Sequence, residues 1–110
     1  MELTRKGDGG RLTLAISGKC TVEHAASLRE ALLEAVAADK QLSLDVSGVE
    51  EADITFLQLV LATALTLQRE GGALSRTGSV SEAAREAARV AGFDQTPQLK
   101  TFFVDEERDG

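Results

Sequence analysis

Segments with strand-like alternation and longer segments with helical periodicity follow one another along this chain of 110 residues. Two extended pieces, 2–6 and 12–17, flank Asp8-Gly9-Gly10 and predict a β-hairpin. After it, helical and extended segments alternate, and connections of helical length predict parallel strands joined by crossovers. The expected fold is therefore α/β, with a four-stranded mixed sheet and helices packed mainly on one face.

Apolar spacing and end signals place the remaining elements. In chain order we predict a helix from Thr21 to Ala38, a strand over 41–47, a helix from Ile54 to Arg69, a strand over 73–77 and a helix that begins at Ser79. Ser79 and Glu82 form a capping-box pattern, and Gly92 is expected to end that helix. The strands are expected to supply six aliphatic side chains to the core: Leu12, Leu14, Ile16, Leu42, Leu44 and Val46.

The length fits a single domain over residues 1–110. The last residues, 105–110, are mostly acidic, and we expect them to form a solvated, mobile tail. Phe102 and Phe103 come shortly before this tail and are expected to pack back on the domain.

Composition and charge argue against several classes of function. The chain has a formal net charge of −6 and neither Trp nor Tyr, whereas nucleic-acid binding needs a basic surface. A single cysteine, Cys20, cannot form an internal disulfide. No uncharged stretch reaches the roughly 20 residues that a bilayer span needs. We therefore expect a cytoplasmic domain with no nucleic-acid partner and no direct membrane insertion.

The sequence also lacks the usual constellations of catalytic groups. His24 is the single histidine, and neither it nor Cys20 has a second ligand at metal-binding spacing. Asp45 lies near the end of the strand predicted over 41–47, as the phosphoacceptor of a two-component receiver does, but the acidic pair that would hold Mg²⁺ is missing. We expect no enzyme activity, no metal site and no cofactor.

A more specific pattern occupies residues 45–57. It reads DVSGV over 45–49, then a short loop, then DITFL over 53–57 at the start of an apolar helix. This pattern resembles the STAS domain, a family that includes anti-sigma-factor antagonists, the cytoplasmic tails of sulfate transporters and a subunit of bacterial lipid-transport ABC complexes. The segments 14–18, 71–74 and 79–93 are similar to other parts of the family pattern, so the resemblance covers about residues 2–95.

The resemblance implies a candidate modification site. In antagonists of this family, a Ser or Thr at this helix start is phosphorylated by a partner kinase, which switches binding off. Thr55 is the matching hydroxyl, and a helix N-terminus tolerates a phosphate because it offers free N–H groups. The implied partner-binding or phosphosite surroundings are Asp53, Ile54, Phe56, Ser47 and Thr21.

An alternative interpretation makes Thr55 an ordinary first-turn residue behind an Asp53 N-cap. The chain departs from the family pattern at Ile54, where a hydroxyl is common, and at Phe56, where Gly is usual. It also has Thr21 where the antagonists tend to carry Asp. These departures leave both interpretations of Thr55 open.

The helix after Asp53 has apolar side chains on more than one face, whereas packing against a sheet uses one stripe. We expect the remainder to bind a protein: an anti-sigma-type serine kinase, another signalling complex, or a second copy in a homodimer. The expected function is therefore that of an anti-sigma factor antagonist, a phosphoprotein of signal transduction and transcription regulation. The alternative is a constitutive STAS subunit or scaffold in a lipid-transport ABC complex or a chemotaxis-type assembly.

Overall fold

The computed structural model describes residues 1–8, 11–99 and 102–103. The strands and α-helices are, in chain order, β1 (Glu2–Asp8), β2 (Arg11–Cys20), α1 (Ala25–Ala38), β3 (Gln41–Ala52), α2 (Ile54–Arg69), β4 (Ala73–Arg76) and α3 (Glu82–Ala91). Short 3₁₀ turns span Val22–His24, Phe93–Gln95 and Pro97–Leu99. The predicted hairpin turn at Gly9 and Gly10 lies outside the described residues.

The four strands form one mixed sheet in the order β1-β2-β3-β4. Strand β1 runs antiparallel to β2, whereas β2 pairs with β3, and β3 with β4, in parallel. The register places Leu14 beside Leu44, and Leu42 beside Leu74. Because side chains alternate between the faces of a strand, this register gathers the aliphatic residues of three strands on one face. The predicted mixed sheet is confirmed.

The core lies between this face and the helices. All six strand residues predicted for the core are buried, and Leu14, Leu44 and Val46 are completely so. Helices α1, α2 and α3 contribute buried side chains to the same cluster, including Leu32, Val60 and Ala84. The prediction that the helices pack mainly on one face is therefore confirmed.

Strand β3 is longer than the sequence predicted. It does not end at residue 47 but continues through Gly48 to Ala52, because β2 also extends to Cys20 and pairs with it. A Cβ at Gly48 would lie 2.8 Å from the Cβ of Ser17, so the glycine permits a close approach between two strands. The prediction that this strand ends at residue 47 was wrong, because Gly48 serves a long-range contact between the strands.

Two helix starts also differ from the prediction. Thr21 has an extended backbone and its side chain makes no capping hydrogen bond; a 3₁₀ turn follows it, and α1 begins only at Ala25. The N-cap of α3 is Ser81, whose hydroxyl accepts a hydrogen bond from the amide of Ala84, rather than Ser79. Helix α3 does end at Gly92, which adopts the left-handed conformation, as predicted.

The end of the described chain packs on the domain. Leu99, Phe102 and Phe103 are buried, and the two phenylalanine rings meet edge to face with centroids 4.9 Å apart. The predicted packing of Phe102 and Phe103 is confirmed. The acidic segment 105–110 lies outside the described residues.

Candidate functional site

Strands β2 and β3 end side by side, with Cys20 paired to Ala52, and the candidate site lies just beyond this point. Asp53 follows β3 and is the N-cap of α2, as predicted. Its Oδ1 accepts a hydrogen bond from the amide of Phe56 at 3.2 Å. Its Oδ2 accepts a second from the amide of Val22 at 2.9 Å. One carboxylate therefore joins the start of α2 to the turn that precedes α1.

The first three residues of α2 have different surroundings. Ile54 is 50% exposed, Thr55 is partly buried, and Phe56 is 2% exposed within the core. Phe56, which stands where the family usually has Gly, therefore points inward and does not add bulk to the surface beside Thr55. The helix start presents one aliphatic side chain and one hydroxyl next to the Asp53 carboxylate.

Of the other two predicted site residues, Thr21 lies near Asp53, whereas Ser47 is bound to Asp45 on β3. Thr21 directly precedes Val22 and so lies near the Asp53 hydrogen bond. Ser47 lies six positions before Asp53 on β3, and its hydroxyl donates a hydrogen bond to Asp45 Oδ1 at 2.7 Å. The described hydrogen bonds of Ser47 thus tie it to Asp45 and not to the start of α2.

Sequence reasoning missed Val22 as a member of this site. Its side chain is 64% exposed, and it reaches Asp53 although 31 positions separate the two residues in the chain. The signal that could have found it is the parallel pairing of β2 and β3, because parallel neighbours bring the starts of their following helices to one edge of the sheet.

Cys20 lies beneath this surface and is buried. Its Sγ is 3.7 Å from the carbonyl oxygen of Gly18. Burial raises the pKa of the thiol to about 11; the chain's amino group acts in the opposite direction, and the nearby Asp53 carboxylate raises the pKa further. The thiol is therefore protonated at neutral pH, when it behaves as a small core side chain rather than as a nucleophile.

Two further findings concern the described residues only. They include no group of three or more His, Cys, Asp or Glu side chains placed to hold a metal ion. None of the helices within them is long and apolar enough to cross a membrane. Among the described residues that line a cavity of about 290 Å³ near the end of α2, including Gln68 and Pro97, none has a titratable side chain.

The family model described as the Mlab STAS domain matches residues 3–104 of this chain. The chain therefore belongs to the STAS domain family, as its sequence pattern predicted. No curated protein sequence matches it.

Solved structures share the fold. A candidate anti-sigma factor antagonist from Thermotoga maritima superposes with a TM-score of 0.73 at 16% identity, over 86% of this chain and 81% of that chain. An anti-sigma factor antagonist from Mycobacterium paratuberculosis gives 0.71 at 24% identity, over 92% of each chain. The antagonist SpoIIAA in its unphosphorylated form gives 0.59 at 13% identity, over 68% of this chain and 71% of that chain. The domain thus resembles anti-sigma factor antagonists in fold.

Proposed function

We propose that this domain is a regulatory protein-interaction module of the cytoplasm, without catalysis of its own, that binds a signalling partner through the start of α2. An anti-sigma-type serine kinase is the partner class that the family resemblance suggests. The observation that carries the proposal is the half-exposed Ile54 beside the Asp53 carboxylate, which caps α2. A partner that covers this side chain would remove apolar surface from water, which favours association.

We further propose that phosphorylation of Thr55 switches this binding. The first turn of α2 has backbone N–H groups and the positive end of the helix dipole, which stabilise an added phosphate. The phosphate would bring a charge of about −2 to an apolar surface that already carries the Asp53 carboxylate. Desolvation and repulsion would then weaken the complex, as a regulatory switch requires.

The switch is tested with the cognate kinase, ATP and intact-mass analysis. We expect one phosphate on the wild-type chain and on Thr66→Ala, a control on the same helix, and none on Thr55→Ala. Thr55→Ala and Thr55→Glu should unfold at similar temperatures. The Glu variant should bind the kinase partner more weakly than the Ala variant does. No added phosphate, together with equal binding by both Thr55 variants, would exclude the switch.

The binding surface is tested separately by charge insertion. Ile54→Glu should abolish capture of the partner protein when the domain is used as bait. It should change the free energy of unfolding by no more than about 0.5 kcal/mol, because the side chain is half exposed. Val90→Glu is the matched control, since Val90 is 71% exposed on α3. Capture that survives Ile54→Glu, or that Val90→Glu abolishes equally, would contradict the proposed surface.

A second candidate is a constitutive subunit or scaffold in a lipid-transport ABC complex or a chemotaxis-type assembly. It is supported by the matching family model, which is described as the Mlab STAS domain rather than as an antagonist. Such a subunit needs the Thr55 hydroxyl and the apolar helix α2, but no phosphate cycle. It predicts loss of the complex in Ile54→Glu, no phosphate on Thr55, and equal binding by Thr55→Ala and Thr55→Glu.

A further inference from the structure

Two aliphatic side chains face solvent on either side of Asp53. Val22 is 64% exposed and Ile54 is 50% exposed. The amide of Val22 is hydrogen-bonded to Asp53 Oδ2, and Ile54 follows Asp53 in the chain, so the two residues are neighbours in space. We call Val22 and Ile54 the apolar pair. The Asp53 carboxylate, through its two hydrogen bonds, fixes one member relative to the other.

Three further carboxylates lie close to the apolar pair along the chain. Glu23 follows Val22 in the 3₁₀ turn, and Glu50 and Glu51 lie near the end of β3, within roughly 10 Å of Asp53 by the rise of a strand. All three side chains are exposed. We call Glu23, Glu50 and Glu51 the acidic rim. Two cations lie near this end of the sheet: Lys19, which pairs with Glu51 across β2 and β3, and the chain's amino group, which acts on Cys20. They offset part of the negative charge of the acidic rim and Asp53.

The sign of this charge selects among possible occupants. A second copy of the chain, docked by two-fold symmetry through this surface, would bring two acidic rims together, and like charges in an interface oppose association. The net charge of −6 adds to this repulsion. A partner with cations around its apolar side chains would instead gain attraction at Glu23 and Glu50, and less at Glu51, whose strand neighbour is Lys19.

We propose that the apolar pair and the acidic rim form a docking surface for a basic amphipathic segment of a partner protein, which presents aliphatic side chains flanked by lysine or arginine. This inference rests on the proposed function, because it describes the partner of the same surface. The apolar contacts supply the affinity, and the rim supplies selectivity and rapid association, which salt screens.

The test uses two synthetic helical peptides with the same leucine face, one with lysine and one with glutamate on the polar face. Each is titrated into the ¹⁵N-labelled full chain. The lysine peptide should shift the amide signals of residues 22–24 and 50–55, and the glutamate peptide should shift none. Ile54→Ser should weaken the lysine peptide about tenfold or more, whereas Val90→Ser should not.

The rim is tested by removing charge without changing shape. The double variant Glu50→Gln, Glu51→Gln should weaken the lysine peptide about three- to tenfold and reduce its salt dependence. The control, Glu30→Gln with Glu82→Gln, removes the same charge from α1 and α3 and should leave binding unchanged.

Equal weakening by the two double variants, or shifts outside these residues, would show non-specific attraction and overturn the inference. Self-association of the chain that Ile54→Ser abolishes would overturn it in favour of a second copy. If the peptides fail but Ile54→Glu still blocks capture of the partner, the partner chemistry is wrong and the proposed function stands.

Discussion

The connection between α2 and β4 shows how two adjacent glycines serve different purposes. Gly71 adopts φ +83°, and the amides of Gly71 and Gly72 donate hydrogen bonds to the carbonyls of Gln68 and Leu67. This is a Schellman motif, which ends α2. Gly72 has a second reason to be glycine, since a Cβ there would lie 2.1 Å from the carbonyl oxygen of Lys40.

We therefore expect Gly72→Ala to destabilise the fold by about 1–3 kcal/mol, because either Lys40 or the start of β4 must move. Gly7→Ala is the control, since a Cβ at Gly7 meets nothing within 4 Å and should change stability by about 0.5 kcal/mol at most. Urea denaturation followed by circular dichroism measures both. Similar unfolding midpoints for the two variants would contradict the close approach at Gly72.

At the same scale, the sequence predicted the residues whose signals are local. Asp53 is the N-cap of α2 as expected, since a cap needs only the amide three residues later. The hydrogen bond from Val22 to Asp53 was not predictable, because it depends on two parallel strands that end together. The geometry of the candidate site thus depends on a contact that no short motif records.

At the scale of elements, β3 is one of the two inner strands of the sheet, with β2 on one side and β4 on the other. Leu44 lies in its middle and is completely buried. We expect Leu44→Ala to cost about 2–5 kcal/mol of stability, because the substitution leaves a cavity among neighbours that cannot all collapse. Leu33→Ala on α1, where the side chain is 52% exposed, should cost far less. Equal losses in thermal or urea unfolding would place Leu44 outside the core.

The elements also differ in how well periodicity and end signals predicted them. Helix α2 has the predicted bounds, because Asp53 and Gly71 mark its ends locally. The N-cap of α3 is two residues later than predicted, Ser81 rather than Ser79. Gly78 has φ +79°, and the side chain of Val80 is buried in the core before the helix starts. Two nearby serines offer the same capping chemistry, and only tertiary packing chooses between them.

At the scale of the whole molecule, a single core joins the described elements. It contains side chains from β2, β3 and all three α-helices, and Phe103 beyond them. The radius of gyration is 12.8 Å, close to the roughly 13 Å expected for a compact chain of this length. No helix can separate from the sheet without exposing part of this shared core, so we expect the domain to unfold as one cooperative unit.

Alkylation of the Cys20 thiol tests whether the domain unfolds as one unit. Because the thiol is buried and protonated, alkylation at pH 8 requires opening of the core. In a urea series, the midpoint of Cys20 alkylation should coincide with the midpoint from far-ultraviolet circular dichroism. A thiol that reacts well below that midpoint would reveal local opening of β2 and contradict a single unit.

The same residue fixes the direction of a pH effect. The folded pKa of Cys20 is about 11, against an ordinary value of 9.0, so between these pH values the unfolded chain loses a proton that the folded chain keeps. Its contribution to stability is therefore complete below pH 9 and is lost as the pH rises toward 11. We expect Cys20→Ala to flatten the decline in unfolding free energy over this interval. A decline of equal slope in the two proteins would show that the thiol is not the group responsible.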